Sequence, residues 1–218
     1  MAEEAAKLNA LLVHYSTDYV FDGNKFSSYV EEDETNPLSV YGKSKLAGEQ
    51  AIQSADAAHL IFRTSWVYGA YGKNFFNTIL RFAKERDALR IVADQFGAPT
   101  SSLSIADATI RVLNDKNIQN QANQFSLYHM TNTGKTSWHG FATEIVAQYT
   151  QLANNNNLPP LKVNTNNIAA IATAEYPTPA IRPKNSSLDL TKLNKTFGIQ
   201  LPPWQQALAD VLEINQLN

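Results

Sequence analysis

Tyr41 and Lys45 stand four residues apart in the run Tyr41-Gly42-Lys43-Ser44-Lys45. On a helix this spacing stacks a phenol and an ammonium on one face. A nearby ammonium favours the phenolate, and a phenol so tuned is a usable proton donor for the reduction of a carbonyl. The same spacing is common between solvated side chains, so the pair alone leaves both readings open. Upstream, an apolar run over residues 11–16 leads into Thr17-Asp18-Tyr19. A hydroxyl at the C-terminal edge of a parallel strand could face the same pocket as Tyr41.

Those side chains need elements to hold them. Residues 11–16 and 60–65 are short apolar runs ending in polar residues, the pattern of buried parallel strands. Residues 40–55 between them are helical in composition, so strand, helix and strand form a βαβ unit with a right-handed crossover. A helix over 75–86 and a strand over 89–93 continue the alternation. Beyond Pro99 the pattern loosens. It predicts a helix at 105–113, a strand at 127–131, a helix at 138–152, an Asn-rich turn at 154–157 and a β-like run at 168–173. A Pro-punctuated loop and helices near 188–197 and 203–214 complete the chain. Residues 2–9 are good helix formers with no capping side chain ahead of them, as in the back half of a helix.

Composition narrows the partners. Hydrophobic residues make up 44% and charged residues 17% of the 218, enough apolar material for a folded core. Eighteen Lys plus Arg against twenty Asp plus Glu leave a formal charge of -2. There is no broad basic field to recruit nucleic acid or an anionic membrane. The absence of cysteine removes thiolate nucleophiles, disulfides and Cys-ligated zinc. His14, His59, His129 and His139 are too scattered for metal-ligand spacing, so no metal is expected. No apolar run reaches the roughly 18 residues of a membrane span and the start is acidic, which points to the cytoplasm.

Several motifs in order carry a resemblance. They are Ser16-Thr17-Asp18-Tyr19-Val20-Phe21-Asp22-Gly23, Pro37-Leu38-Ser39-Val40-Tyr41-Gly42-Lys43-Ser44-Lys45-Leu46-Ala47-Gly48-Glu49, Arg63-Thr64-Ser65-Trp66-Val67-Tyr68-Gly69, Asp94-Gln95-Phe96-Gly97-Ala98-Pro99-Thr100, Tyr128-His129-Met130-Thr131-Asn132 and Arg182-Pro183-Lys184-Asn185-Ser186-Ser187-Leu188. Together the chain resembles the dTDP-4-dehydrorhamnose reductase family of extended short-chain dehydrogenases/reductases. The resemblance implies an α/β fold. Residues 1–100 would form part of an NAD(P)-binding Rossmann-type parallel sheet, and 101–218 mainly a smaller substrate-binding lobe, with interleaved segments. It implies that Thr17, Tyr41 and Lys45 are the catalytic hydroxyl/Tyr/Lys set, with Tyr41 and Lys45 also binding NADPH or NADH. Asp18, Tyr19, Trp66, Arg182 and Asn185 would contact the substrate, a dTDP-linked 4-keto-6-deoxy sugar.

Bland alternatives stand beside these roles. Asp18 also suits a turn after a strand, Trp66 a packed aromatic, and Arg182 an ion pair or backbone clamp for its loop. Asp94 and Gln95 could simply cap a turn. Glu144 could belong to an acidic magnesium-holding dimer site, but a solvated helix Glu explains it as well, and a homodimer stays open. Other classes remain: a non-catalytic regulatory subunit of the kind represented by the β subunit of methionine adenosyltransferase, or a sibling nucleotide-sugar reductase or epimerase. None of the nine glycines forms a Gly-x-Gly-x-x-Gly or Gly-x-x-Gly-x-x-Gly turn after a strand, which a dinucleotide fold uses to approach the pyrophosphate. Only sixteen residues precede Thr17. The expectation is a C-terminal two-thirds of such an enzyme, lacking the N-terminal cofactor-binding segment, with an exposed strand edge at 11–16, weak NADPH binding and no turnover alone.

Overall fold

A computed structural model describes residues 1–55, 57–115, 118, 126–178 and 180–216. In chain order, α1 (Ala2–Lys7) leads to β1 (Leu12–Thr17), a 3₁₀ turn (Asp18–Val20), α2 (Val40–Gln53), β2 (His59–Thr64), β3 (Val67–Tyr68) and α3 (Phe75–Glu85). There follow β4 (Leu89–Val92), β5 (Phe96–Gly97), β6 (Thr100–Ser101), α4 (Ser102–Leu113), β7 (Ser126–His129) and β8 (Thr136–Ser137). The chain closes with α5 (Trp138–Asn156), β9 (Ile168–Ile171), α6 (Thr191–Phe197) and α7 (Trp204–Gln216). Two compact units share these elements. One comprises Met1–Ser65, Ile105–Thr131 and Ala180–Leu201; the other comprises Trp66–Ser104, Asn132–Pro179 and Pro202–Asn218.

The first unit is built on a parallel sheet of order β1-β2-β7. Its register pairs Tyr15 with Phe62 and Thr17 with Thr64, then Phe62 with Tyr128. Because side chains alternate along a strand, β2 serves both faces. Leu60 and Phe62 join Ile105, Ala108, Val112, Tyr128, Met130 and Leu193 in one apolar cluster, while Arg63 reaches Glu49 of α2 on the other face. Each fully buried Leu or Phe contributes about 1.5–3 kcal/mol. The predicted βαβ unit is therefore present. Among the described residues β1 pairs only with β2, so it is the terminal strand of this sheet.

The second unit has its own core, formed by Phe76, Ile79, Phe141, Ile145, Leu208 and their neighbours from α3, α5 and α7. Here the structure departs from the expected alternation. β4 does not extend the β1-β2-β7 sheet but pairs in parallel with β9, Leu89 opposite Ile168. Two boundaries also differ from the sequence reading. The expected turn at 154–157 is the last turn of α5, which runs to Asn156 and ends on Asn157 in the left-handed region (φ 51°). The face carrying Phe141, Ile145, Tyr149 and Ala153 is buried and carries the helix through poor formers, and Asn tolerates the left-handed cap. α6 begins at Thr191 rather than 188, because Leu188 bridges to Tyr29 and Asp189 Oδ1 accepts from Thr191 N–H at 2.9 Å.

Candidate active site

α2 is what positions the Tyr/Lys pair. It starts where Ser39, in extended conformation, accepts from Gly42 N–H through its hydroxyl at 3.1 Å, supplying one of the acceptors an open helix end requires. Gly42 is itself buried against the 3₁₀ turn. A Cβ there would collide with the Tyr19 carbonyl oxygen and come within 3.0 Å of Pro37 Cβ. That close approach brings the Tyr41 and Tyr19 rings edge to face, with centroids 5.8 Å apart. Tyr41 is 55% exposed, which leaves it accessible to a ligand.

Tyr41, Lys45 and Glu49 follow at successive i, i+4 steps along one helix face. Lys45 Nζ donates to the Tyr15 carbonyl at 2.6 Å and lies 3.4 Å from His14 Nε2. Glu49 is buried and paired with Arg63 of β2, Nε to Oε1 at 3.0 Å and Nη2 to Oε2 at 2.7 Å. One end of this face meets the sheet through a cation and the other through a buried ion pair. The sequence reading passed over Glu49, Arg63 and His14 as functional elements, although the 41/45/49 ladder was there to find.

Thr17 ends β1 and caps the 3₁₀ turn. Its oxygen accepts from Tyr19 N–H at 3.2 Å and its hydroxyl donates to Asp18 Oδ1 at 3.1 Å. Asp18 is buried, and burial pushes its carboxyl up to about 6, with hydroxyl hydrogen bonds from Ser186 and Thr17 opposing the rise. Burial also raises the Tyr19 phenol; Asp18 adds to the rise, and the Arg182 guanidinium opposes it. A buried carboxyl pushed up to about 6 next to a raised, largely buried phenol is the kind of electrostatic arrangement found where chemistry occurs.

The remaining predicted residues fall in distinct settings. Arg182 is exposed. Asn185 is turned inward: its Nδ2 donates to the carbonyls of Lys25 and Ser27 at 2.8 and 2.9 Å, and its Oδ1 accepts from Ser187 N–H at 3.2 Å. Trp66 belongs to the second unit. Its ring stacks on Trp138 with centroids 3.5 Å apart, and a Cβ on Gly97 would sit 2.6 Å from it. Gln95 receives the Trp138 indole N–H at 3.2 Å, and Asp94 accepts from the backbone N–H and hydroxyl of Thr173. Glu144 lies on α5, where its carboxylate accepts from Gln148 Nε2 at 2.8 Å. Among the described residues, no group of three His, Asp or Glu could hold a metal ion and no helix is long and apolar enough to cross a membrane.

The fit to a nicotinamide cofactor is local. Ser16 Oγ and Thr64 Oγ1 are buried oxygens without a partner at the ends of the adjacent strands β1 and β2, and Lys45, which bonds the carbonyl of Tyr15 on β1, has two of its three N–H bonds accounted for. These groups suit the polar nicotinamide-ribose end of a dinucleotide, whereas no glycine-rich turn in this sequence matches its pyrophosphate.

The parallel βαβ sheet, with a Tyr/Lys helix packed beside the end of its first strand, is the architecture of a Rossmann-type reductase. The model of the RmlD substrate-binding domain matches residues 1–217. A dTDP-4-dehydrorhamnose reductase of Burkholderia thailandensis is 49% identical over 210 residues, covering 95% of this chain and 69% of the relative. A crystal structure of the reductase of Bacillus anthracis in complex with NADP superposes with a TM-score of 0.83 at 32% identity, covering 98% of this chain and 69% of that one. The reductase ortholog of Clostridium acetobutylicum gives the same TM-score at 33% identity, over 99% of this chain and 69% of its own. The chain belongs to the dTDP-4-dehydrorhamnose reductase family.

Proposed function

We propose that Tyr41 protonates the C4 keto oxygen of dTDP-4-dehydro-L-rhamnose in an NADPH-dependent reduction that yields dTDP-L-rhamnose. What supports this reading is the way α2, which carries both Tyr41 and Lys45, meets the end of β1: the Tyr41 ring packs edge to face on Tyr19 at 5.8 Å, two residues past Thr17, and Lys45 Nζ donates to the Tyr15 carbonyl at 2.6 Å. Bound NADPH supplies the hydride that C4 accepts. As negative charge builds on the keto oxygen, the Tyr41 O–H moves its proton there and Thr17 donates a second hydrogen bond to it. Lys45 favours the phenolate that remains and offers its remaining N–H to the nicotinamide ribose. Thr17 shares its single O–H between Asp18 Oδ1 and the keto oxygen.

Arg182 supplies a guanidinium for the diphosphate of the sugar nucleotide. Asn185, with its amide already engaged, shapes the loop that presents Arg182. Substrate and cofactor are both water-soluble, which fits a cytoplasmic enzyme. Supplied together with a dinucleotide-binding segment for the cofactor pyrophosphate, the chain should oxidise NADPH in step with formation of dTDP-L-rhamnose from dTDP-4-dehydro-L-rhamnose. NADPH oxidation without that product, or an epimerised ketone in its place, would overturn the assignment.

A further inference from the structure

The Lys45 ammonium carries three N–H bonds and no acceptor. One is given to the Tyr15 carbonyl at 2.6 Å, and a second faces His14 Nε2 at 3.4 Å. An ammonium can only donate, so His14 can take this bond only through an unprotonated Nε2. That leaves the imidazole neutral with its proton on Nδ1. The ring lies over Gly48, 4.0 Å from where a Cβ would stand.

The charged groups on this face support the neutral form. From α2, Lys45 and Glu49 face His14. From β2, Arg63 shares the face through its register with Ser16, but its guanidinium is held on Glu49. Burial holds the imidazole below its ordinary titration range, the Lys45 charge lowers it further, and Glu49 opposes.

We propose that His14 is a positioning residue for the reduction: a neutral acceptor that, with the Tyr15 carbonyl, fixes the Lys45 ammonium one helical turn from Tyr41 and leaves its third N–H for the nicotinamide ribose. The ribose part of this inference rests on the functional reading given above; the His14–Lys45 bond does not. A leucine at 14 would fill similar space without an acceptor, whereas a glutamine would restore a neutral acceptor without a titrating group.

Two measurements test it. In the cofactor-free protein, the His14 ring protons followed by NMR should titrate below pH 6.5, with the midpoint moving upward in Lys45→Met. In steady-state kinetics, His14→Leu should lower kcat by about tenfold and raise the KM for NADPH, with the KM for the sugar nucleotide within about twofold of the starting enzyme. His14→Gln should recover most of the lost kcat. A His14 midpoint indifferent to Lys45→Met, or a His14→Gln enzyme as impaired as His14→Leu, would overturn the proposal. If the leucine variant does not fold, the titration and the glutamine variant decide. Lys45→Met leaving turnover intact would instead remove the functional reading, and the titration would still report on the bond.

Discussion

Glu49 of α2 and Arg63 of β2 form a bidentate ion pair whose side chains are 2% and 5% exposed. The pair fastens the helix that carries Tyr41 and Lys45 to the middle strand of the sheet. Removing one partner leaves a buried charge uncompensated, which costs about 3–5 kcal/mol. Glu49→Leu or Arg63→Met alone should therefore lower the denaturant midpoint sharply. The double variant should be markedly more stable than either single variant, because no orphan charge remains. Chemical denaturation of the three variants checks this; a double variant as unstable as the sum of the singles would contradict it.

Asp18 gives a pH dependence of definite sign. Its folded carboxyl titrates at about 6, above the unfolded value of about 3.9. Between these limits the unfolded chain releases the proton while the folded one keeps it, so stability falls as pH rises from about 4 to about 6 and is level beyond. Asp18→Asn removes the cost of a buried charge. It should stabilise the protein at pH 7.5 by up to about 3 kcal/mol, with the gain vanishing below pH 4. Denaturation curves at both pH values measure it, and a variant less stable than the parent at pH 7.5 would show the ionised carboxylate to be favourably held.

Gly42 couples the start of α2 to the Thr17–Tyr19 turn. Gly42→Ala would press a methyl group on the Tyr19 carbonyl oxygen, a backbone atom that cannot swing aside. Overpacking of this kind costs about 1–3 kcal/mol. Because it shifts Tyr41 relative to Thr17, kcat should fall by about tenfold or more, with a smaller change in sugar-nucleotide affinity. Calorimetry and steady-state rates on the same preparation separate the two effects.

The parts of this arrangement readable from sequence were those fixed locally. Short apolar runs ending in polar residues marked β1 and β2, helical composition marked α2, and the 41/45 spacing fixed the shared face. What escaped the reading depends on partners distant in sequence. Arg63 meets Glu49 only because β2 lies beside β1 under α2. β4 pairs with β9 although their partners stand 79 positions apart, as Leu89 and Ile168 do. Asn185 reads as a ligand group in a polar loop until its amide is seen to bind Lys25 and Ser27. α5 outran its predicted end because tertiary burial overrides the weak helix propensity of its Asn residues.

The central claim is that the Tyr41 phenol gives the proton and does not hold the fold. The Tyr41→Phe enzyme tests it most directly, with turnover of dTDP-4-dehydro-L-rhamnose by NADPH and dTDP-sugar affinity measured together. The account predicts that kcat falls by roughly 10²–10⁴ while the sugar nucleotide binds within about twofold of the parent. Turnover retained within about tenfold, or lost together with binding, would contradict it.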